Sequence, residues 1–281
     1  MILWLALLAA FGVALCNGIA AVLQKLSADK QKTVFSLRFK LLFLLIKDWP
    51  YLIGIILDIA AWIFTLIAVH NLPLFIVQPI IAFGVVITVI VEHYVFRLKF
   101  KLQILLAIGL TIIGLLLLAI AAQPQVVIQV SSLVRLSILI APIILVIIGA
   151  FFARRKDKSA TIILAAISGL AFGGTAIAGR ILNFSLPYWH ILYNQMFIAI
   201  IAYGIIGLLL FTMALQRHQA STINAVMITF ETTAPIIIGL LFFGDKPKNN
   251  LWFLVIIGLV IALSGTLMIA IKGLKPSNNI N

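Results

Sequence analysis

Long runs of apolar residues, separated by short polar connections, dominate the chain. A helix of about 20 mostly apolar residues crosses the hydrocarbon core of a bilayer, which is about 30 Å thick. The runs therefore predict nine transmembrane helices, with prolines in several of the connections. The predicted spans are 3–24, 50–70, 74–96, 102–122, 134–152, 159–182, 190–213, 220–243 and 251–271.

A shorter apolar segment, residues 33–46, lies between the first two predicted spans. Its 14 residues would make a helix of about 21 Å, which is too short to cross the bilayer core. Arg38 and Lys40 lie inside it and Lys47 follows it. We therefore predict a short helix that lies in the membrane interface, with its cationic groups among the lipid headgroups. A short tenth span is the alternative.

The composition agrees with an all-α polytopic membrane protein and excludes other classes. Of the 281 residues, 64% are hydrophobic and 10% are charged, whereas soluble domains have about 45–50% apolar and about 25% charged residues. Cys16 is the only cysteine, which excludes a disulfide within the chain. The net charge of +13 would suggest nucleic acid in a soluble protein, but in a membrane protein such an excess marks cytoplasmic loops. We expect no nucleic-acid partner.

The distribution of basic residues predicts the orientation in the membrane. With nine spans, 16 of the lysines and arginines fall in connections and a tail on one side, and 4 fall on the other side. Basic residues collect on the cytoplasmic side of membrane proteins. We therefore predict a protein of the cell membrane. Its N-terminus is predicted to lie outside the cell and its tail, 272–281, in the cytoplasm.

The two halves of the chain show a weak internal repeat. We predict a four-helix repeat in 1–122, which includes the interfacial segment, a linker helix over 134–152, and a second four-helix repeat in 159–271. Equivalent helices are five crossings apart, so the repeats run in opposite directions. Inverted repeats around a midplane site are common in secondary transporters. The matching segments are 8–20 with 164–176 and 108–121 with 257–270.

Two acidic residues, Asp58 and Glu231, lie deep inside predicted spans. Charged groups at that depth are costly and are functional candidates by default. Pro235 cannot donate to the carbonyl of Glu231, four residues earlier, and so leaves that oxygen free. The carboxylate and the free carbonyl together predict a cation or proton site. A protonated Glu231 bonded to a neighbouring helix, and a purely structural Asp58, are the alternatives.

Other polar positions are predicted to contact the substrate or ion. Asn224 shares a helix face with Glu231, and Thr232 lies in the same turn. Asn17 lies deep in the first span, near Gln24 at its inner end, and either contacts substrate or joins helices. The remaining positions are Gln78 and the predicted helix breaks Pro79 and Pro235.

Two features are predicted to be structural. Gly169 and Gly173 form a small-xxx-small pair, which favours close packing of helices. Glu92 lies near the inner end of the third predicted span, where an interfacial position is expected.

Signatures of enzymes are missing from the sequence. It contains no H-E-x-x-H, P-loop or G-x-S-x-G motif. The histidines are scattered near helix ends, so we expect no imidazole metal cluster and no cofactor. An enzyme is therefore not predicted.

Two pairs of stretches resemble a known transporter superfamily. The stretches ALQRHQASTINAVMITFETTAPIIIGLLFFGDKP (214–247) and IIGLVIALSGTLMIA (256–270) resemble the drug/metabolite transporter superfamily, often called EamA-like. The stretches AAFGVALCNGIAAVLQK (9–25) and NLPLFIVQPIIAFGVV (71–86) are similar to its NIPA-type magnesium transporter branch. The resemblance implies an inverted-repeat transporter. It also implies nine helices instead of the ten of standard members.

These observations predict a secondary transporter for a small metabolite or ion. It would work by alternating access and be coupled to protons or cations through Glu231. A NIPA-type transporter of magnesium or another divalent cation, and a non-transporting membrane scaffold or subunit, are the alternatives. The expected partners are the lipid bilayer and the substrate, and a homodimer stays open.

Overall fold

The computed structural model of the chain is helical. It describes residues 2–31, 33, 35–37, 40–71, 80–97, 102–121, 131–182, 193–242 and 247–273, and none of these lies in a β-strand. A 3₁₀ turn, Lys248–Asn250, precedes the last helix. The α-helices are α1 (Ile2–Ala28), α2 (Lys40–Leu45), α3 (Trp49–Asn71), α4 (Gly84–Phe96), α5 (Leu102–Ala121), α6 (Ser132–Ala153), α7 (Lys158–Ile181), α8 (Gln195–Leu215), α9 (Ala220–Phe242) and α10 (Trp252–Gly273).

Six of these helices are long and apolar enough to cross a membrane, namely α1, α6, α7, α8, α9 and α10. The predicted spans 50–70, 74–96 and 102–122 correspond to shorter apolar stretches, so the count of nine crossings remains a prediction. Large apolar side chains such as Ile143, Ile147 and Phe151 are exposed along α6. An apolar outer face of this kind suits lipid rather than water. The structure thus supports an integral membrane protein in a lipid bilayer.

The segment 33–46 differs from its prediction. Among its described residues only α2 is helical, and its 6 residues span about 9 Å, which excludes a tenth crossing. Leu41 and Leu45 are buried in the core, so α2 is anchored by packing against the bundle. Phe35 is not part of a helix. Its ring makes a cation–π contact with the guanidinium of Arg217, and the distance from the ring centroid to Cζ is 4.7 Å. The described residues of this segment therefore form one short helix, α2, while residues 33 and 35–37 are not helical.

Helix α1 packs against helices from both halves of the chain. It contacts α3 and α4, and it also contacts α8 and α9 from the C-terminal half. Helix α7 packs in the same way against α8 and α9, and α10 packs along α5. Helices α1 and α7 thus occupy similar places in the packing of the two halves.

Three of the helices begin with a side-chain cap. The side chains of Ser131, Asp157 and Asn194 accept hydrogen bonds from backbone amides in the first turns of α6, α7 and α8, at 3.4, 3.1 and 2.9 Å. Each cap satisfies an amide that has no partner inside its helix, which fixes where the helix starts.

Glycines set the close approach of α5 and α10. A Cβ atom at Gly114 would lie 2.4 Å from the amide nitrogen of Ala262 and 2.7 Å from the carbonyl oxygen of Gly258. Only a glycine fits at that separation, because the contacts are with backbone that cannot rotate away. At Gly109, on the same helix, a Cβ would meet nothing within 4 Å. The two glycines of α5 therefore have different structural roles.

A proline and a tyrosine connect α6 and α8. Pro142 lies inside α6 and cannot donate to the carbonyl of Ile138, four residues earlier. The hydroxyl of Tyr203 on α8 donates to that oxygen at 2.9 Å. The tyrosine thus supplies the hydrogen bond that the proline removes.

Polar contacts gather at one end of the bundle, where the segments 25–49, 153–158 and 214–219 meet. The guanidinium of Arg217 donates to the carbonyls of Ala153 (2.8 Å) and Arg155 (3.2 Å) at the end of α6. Burial lowers the pKa of Arg217, and the charge of Asp157 opposes this effect. We call this region the basic end.

An ion pair at the basic end joins the residues that follow α1 to the start of α3. The ammonium of Lys30 donates to the Asp48 carboxylate at 2.9 Å. This contact lowers the pKa of Asp48. The pair ties the connection after α1 to the bundle.

Candidate functional site

A polar contact inside the bundle joins α1 to α3. The side-chain amide of Gln24 donates from Nε2 to Oδ2 of Asp58 at 2.5 Å. Gln24 is fully buried, and Asp58 is partly exposed. Asp58 lies nine residues after the start of α3, which is about 13 Å along the helix. The sequence singled out Asp58, and the structure gives it a partner from another helix.

The antiparallel packing of α1 on α3 fixes the level of Asp58. Gly54 lies against Gln24, and Phe64 lies against Gly12. Asp58 falls between Gly54 and Phe64, so it faces the stretch of α1 between Gly12 and Gln24. This stretch contains Asn17, which is half-buried. Asn17 and Asp58 therefore lie at neighbouring levels of the contact between α1 and α3.

A second contact joins α9 to α4 and α1. Asn224 is buried and donates from Nδ2 to the Thr88 hydroxyl at 2.7 Å. Thr88 donates to the carbonyl of Gly84 at 2.9 Å, and the carbonyl of Gly18 lies 3.3 Å away as a second acceptor. The Nδ2 group of Asn224 thus takes part in a bond between helices.

Glu231 lies in the middle of α9, eleven residues after its start and about 16 Å along it. Its side chain is partly exposed, and its backbone carbonyl faces α7. A Cβ atom added to Gly173 would lie 3.0 Å from that oxygen and 3.1 Å from Pro235. A Cβ atom added to Gly169 would lie 2.2 Å from the carbonyl oxygen of Met227. The predicted packing role of Gly169 and Gly173 is confirmed, and the backbone carbonyl of Glu231 lies at this contact.

The carboxyl groups of Asp58 and Glu231 lie within electrostatic reach of each other. They come from α3 and α9, which are far apart in the chain. We call Gln24, Asp58 and Glu231 the central polar cluster. Among the described residues, no group of three or more His, Cys, Asp or Glu side chains could hold a metal ion. Any cation at this cluster would therefore bind through amide oxygens, backbone or water as well as carboxylate.

Thr232 has a local role in the structure. Its hydroxyl donates within α9, to the carbonyl of Ile228 at 2.8 Å, with the carbonyl of Thr229 at 3.2 Å. Thr266 on α10 donates to the hydroxyl of Thr229 at 2.9 Å. The structure thus joins α9 to α10 through Thr229 rather than through Thr232. Gln78 and Pro79 lie outside the described residues.

Glu92 has a role that the sequence did not indicate. It was expected at the interface, but it is fully buried on α4. Its two carboxyl oxygens accept from the backbone amides of Ala220 (2.5 Å) and Ser221 (2.9 Å), the first residues of α9. Glu92 thus caps a helix that is distant in the chain. Only the acidic character of the residue near a helix end hinted at this, because the capped amides belong to another element.

Together, the apolar helices and the central polar cluster define a polytopic membrane protein with ionisable groups among its helices. The chain is similar to the probable magnesium transporter NIPA9 of Arabidopsis thaliana, with 24% identity over 279 aligned positions that cover 90% of this chain and 80% of the relative. No family model and no solved structure matches the chain. The alignment runs through nearly the whole chain, so it includes both carboxylate-bearing halves.

Proposed function

We propose that this chain transports a divalent cation of the magnesium class across the membrane. The observation that carries the proposal is the pair of carboxyl groups, Asp58 and Glu231, within electrostatic reach of each other at membrane depth. Two like charges in a low-dielectric interior repel each other, and a bound cation or a proton relieves that repulsion. A cation between them supplies the opposite charge, whereas an anion would add to the repulsion.

The chemistry of magnesium suits a site with two carboxylates. Mg²⁺ gives up its water reluctantly and is commonly bound through one or two carboxylates while it keeps several waters. Asp58 and Glu231 supply those groups, and their partial exposure leaves room for bound water. The similarity to a probable magnesium transporter supports the same substrate class.

Alternating access between inverted repeats is the proposed mode of transport. The packing supports it, because α1 contacts α3 and α4 as α7 contacts α8 and α9. Equivalent helices also meet across the halves, α4 with α9 and α5 with α10. These are the contacts that a two-fold relation between the repeats requires. Helix α6, the proposed linker, packs against α7 and α8 of the second repeat.

The proposed orientation places the basic end in the cytoplasm of a cell-membrane protein. The segments 25–49, 153–158 and 214–219 were assigned to one side from charge alone. Arg217 bonds to the carbonyls that end α6, and Gln216 donates to the carbonyl of Ala28 at 3.4 Å. These contacts bring the three basic segments together, which supports their location on the same side of the membrane. Because basic residues collect on the cytoplasmic side, the C-terminus would also be cytoplasmic.

Transport of magnesium into liposomes tests the proposal. The purified chain is reconstituted in liposomes that contain a fluorescent magnesium indicator, and uptake is compared for wild type, Asp58→Asn and Glu231→Gln. We expect each variant to lose at least tenfold in initial rate, because each removes half of the charge pair. Asp29→Asn is the control, since Asp29 is an exposed acid at the basic end. The proposal would be refuted if liposomes that contain the wild-type protein took up no divalent cation, or if the two variants transported as fast as the wild type.

Proton-coupled transport of a small metabolite is the second candidate. The half-buried amide of Asn17, near the level of Asp58, favours it because an amide can bond to a polar organic substrate. In that case Glu231 would carry the coupled proton. Uptake of an organic solute that drives proton flux in the wild type but not in Glu231→Gln would favour this candidate over the first. A partner that copurifies at fixed stoichiometry, without any ligand response, would favour a scaffold.

A further inference from the structure

The side chain of Gln24 holds a polar atom that the fold leaves without a partner. Gln24 is 0% exposed. Its Nε2 donates to Asp58, but its Oε1 is buried and accepts no hydrogen bond from the described residues. Buried acceptors are almost always satisfied in native proteins, so an unsatisfied one calls for an explanation.

The geometry of the amide fixes where this oxygen lies. Oε1 and Nε2 are bonded to the same planar carbon, so the bond from Nε2 to Asp58 holds Oε1 beside the same carboxylate. Gly54 packs closely against Gln24, since a Cβ atom added to Gly54 would lie 2.8 Å from the Cγ atom of Gln24. This contact restrains the side chain from the α3 side. An amide oxygen and a carboxylate are thus held together at the central polar cluster.

An oxygen in this position is matched to a cation. Carboxylate and amide oxygens are the ligands that hard divalent cations take from proteins. An anion would be repelled by Asp58, and an apolar ligand would leave Oε1 unsatisfied. A hard cation satisfies both the free oxygen and the charge.

We propose that Gln24 is an oxygen ligand of the transported cation, which it contacts through Oε1 while Nε2 holds Asp58 in place. This inference rests on the proposed function and deepens it. It adds an uncharged ligand from α1 to the two carboxylates on α3 and α9. The cation would then contact three helices, which come from both halves of the chain.

Two substitutions at the same position separate a ligand from a merely structural glutamine. Gln24→Met keeps the length of the side chain but removes both polar atoms. Gln24→Glu removes the donor to Asp58 but keeps an oxygen at the position of Oε1 and adds a negative charge. If only the bond to Asp58 matters, Gln24→Glu is at least as harmful as Gln24→Met, because it loses the donor and repels Asp58. If Oε1 binds the cation, Gln24→Glu retains binding.

Magnesium binding to the purified full chain in detergent, followed by thermal stabilisation and by titration calorimetry, is the test. We expect Gln24→Met to bind magnesium at least tenfold more weakly than wild type, and Gln24→Glu to bind it as tightly or more tightly. Gln216→Met is the matched control, since Gln216 is a buried glutamine that joins helices at the basic end, and its affinity should stay within twofold of wild type.

The outcomes distinguish this inference from the proposed function. Gln24→Met with wild-type affinity, or Gln24→Glu as weak as Gln24→Met, overturns the role of Oε1 while leaving cation transport in place. A wild-type protein that binds no divalent cation overturns both. Loss of binding in Gln24→Met with retention in Gln24→Glu supports the ligand.

Discussion

The cap that Glu92 provides to α9 yields the sharpest stability prediction. Glu92→Ala removes both acceptors of the Ala220 and Ser221 amides, and both amides lie in a buried contact between helices. A buried donor left without a partner costs about 1–3 kcal/mol. Loss of the favourable interaction between a carboxylate and a helix N-terminus adds about 0.3–1 kcal/mol. We therefore expect the free energy of unfolding to fall by about 3 kcal/mol or more.

Glu92→Gln provides the graded comparison. Its amide offers one oxygen to the two backbone amides, and its NH₂ group faces donors, so about half of the loss is expected, roughly 1–2 kcal/mol. Unfolding in mixed micelles, followed by fluorescence, measures both variants against wild type. Asp29→Ala serves as the control because Asp29 is exposed and lies outside the helix contact.

A local readout shows whether the cap itself is responsible. Hydrogen exchange at the first turn of α9 should quicken in Glu92→Ala more than exchange at the centre of α7. A free energy of unfolding for Glu92→Ala within about 0.5 kcal/mol of wild type would refute the reasoning, since it would mean that the two amides find other partners. Uniform acceleration of exchange across the bundle would also contradict a local cap.

Three further predictions concern other parts of the bundle. Gly114→Ala should lower the free energy of unfolding by about 1–3 kcal/mol, because its Cβ meets backbone of α10. Gly109→Ala should be neutral or slightly stabilising, and equal losses at the two positions in thermal unfolding would contradict this. Tyr203→Phe should cost about 1 kcal/mol, but less in a Pro142→Ala background, where a backbone amide can replace the hydroxyl; a double-mutant cycle measures the difference. The pKa of Asp48 is lower in the folded state than in the unfolded state, where it is about 4, so the ion pair stabilises the fold above that pH and its contribution is lost as the pH falls further. The free energies of unfolding of wild type and Asp48→Asn should therefore converge at acid pH. A difference between them that does not change with pH would refute this prediction.

The helices could be predicted from the sequence because their signal is local. A run of about 20 apolar residues has few stable alternatives in a bilayer, where each backbone polar group must be satisfied within its own segment. The segment 33–46 was predicted as a short helix, but among its described residues only α2 is helical. A segment of 14 residues interrupted by Arg38 and Lys40 carries too weak a local signal to fix how much of it is helical. Tertiary contacts, such as Arg217 over Phe35, decide this.

The candidate site was predictable only in part. The depth of a polar residue within a span can be read from the local sequence, but its hydrogen-bond partner on another helix cannot. Asp58 and Glu231 stood out as acids inside apolar runs. Asp58 showed no polar companion on its own helix, since its partner Gln24 comes from α1. Glu92 was assigned to the interface for the same reason, as the amides that it caps lie on α9. Which polar groups meet depends on helix packing, and a single sequence does not encode it in any short pattern.

The placement of the two carboxylates connects the proposed substrate to the proposed motion. Asp58 belongs to the first proposed repeat and Glu231 to the second, so any movement of one repeat against the other changes the separation of the two charges. Their repulsion favours an open separation when the site is empty, and a bound cation favours a close one. A ligand shifts a conformational equilibrium only by its differential affinity for the two states, and a pair of carboxylates divided between the moving parts provides that difference. The charge pair would thus serve both to bind the cation and to couple its binding to alternating access.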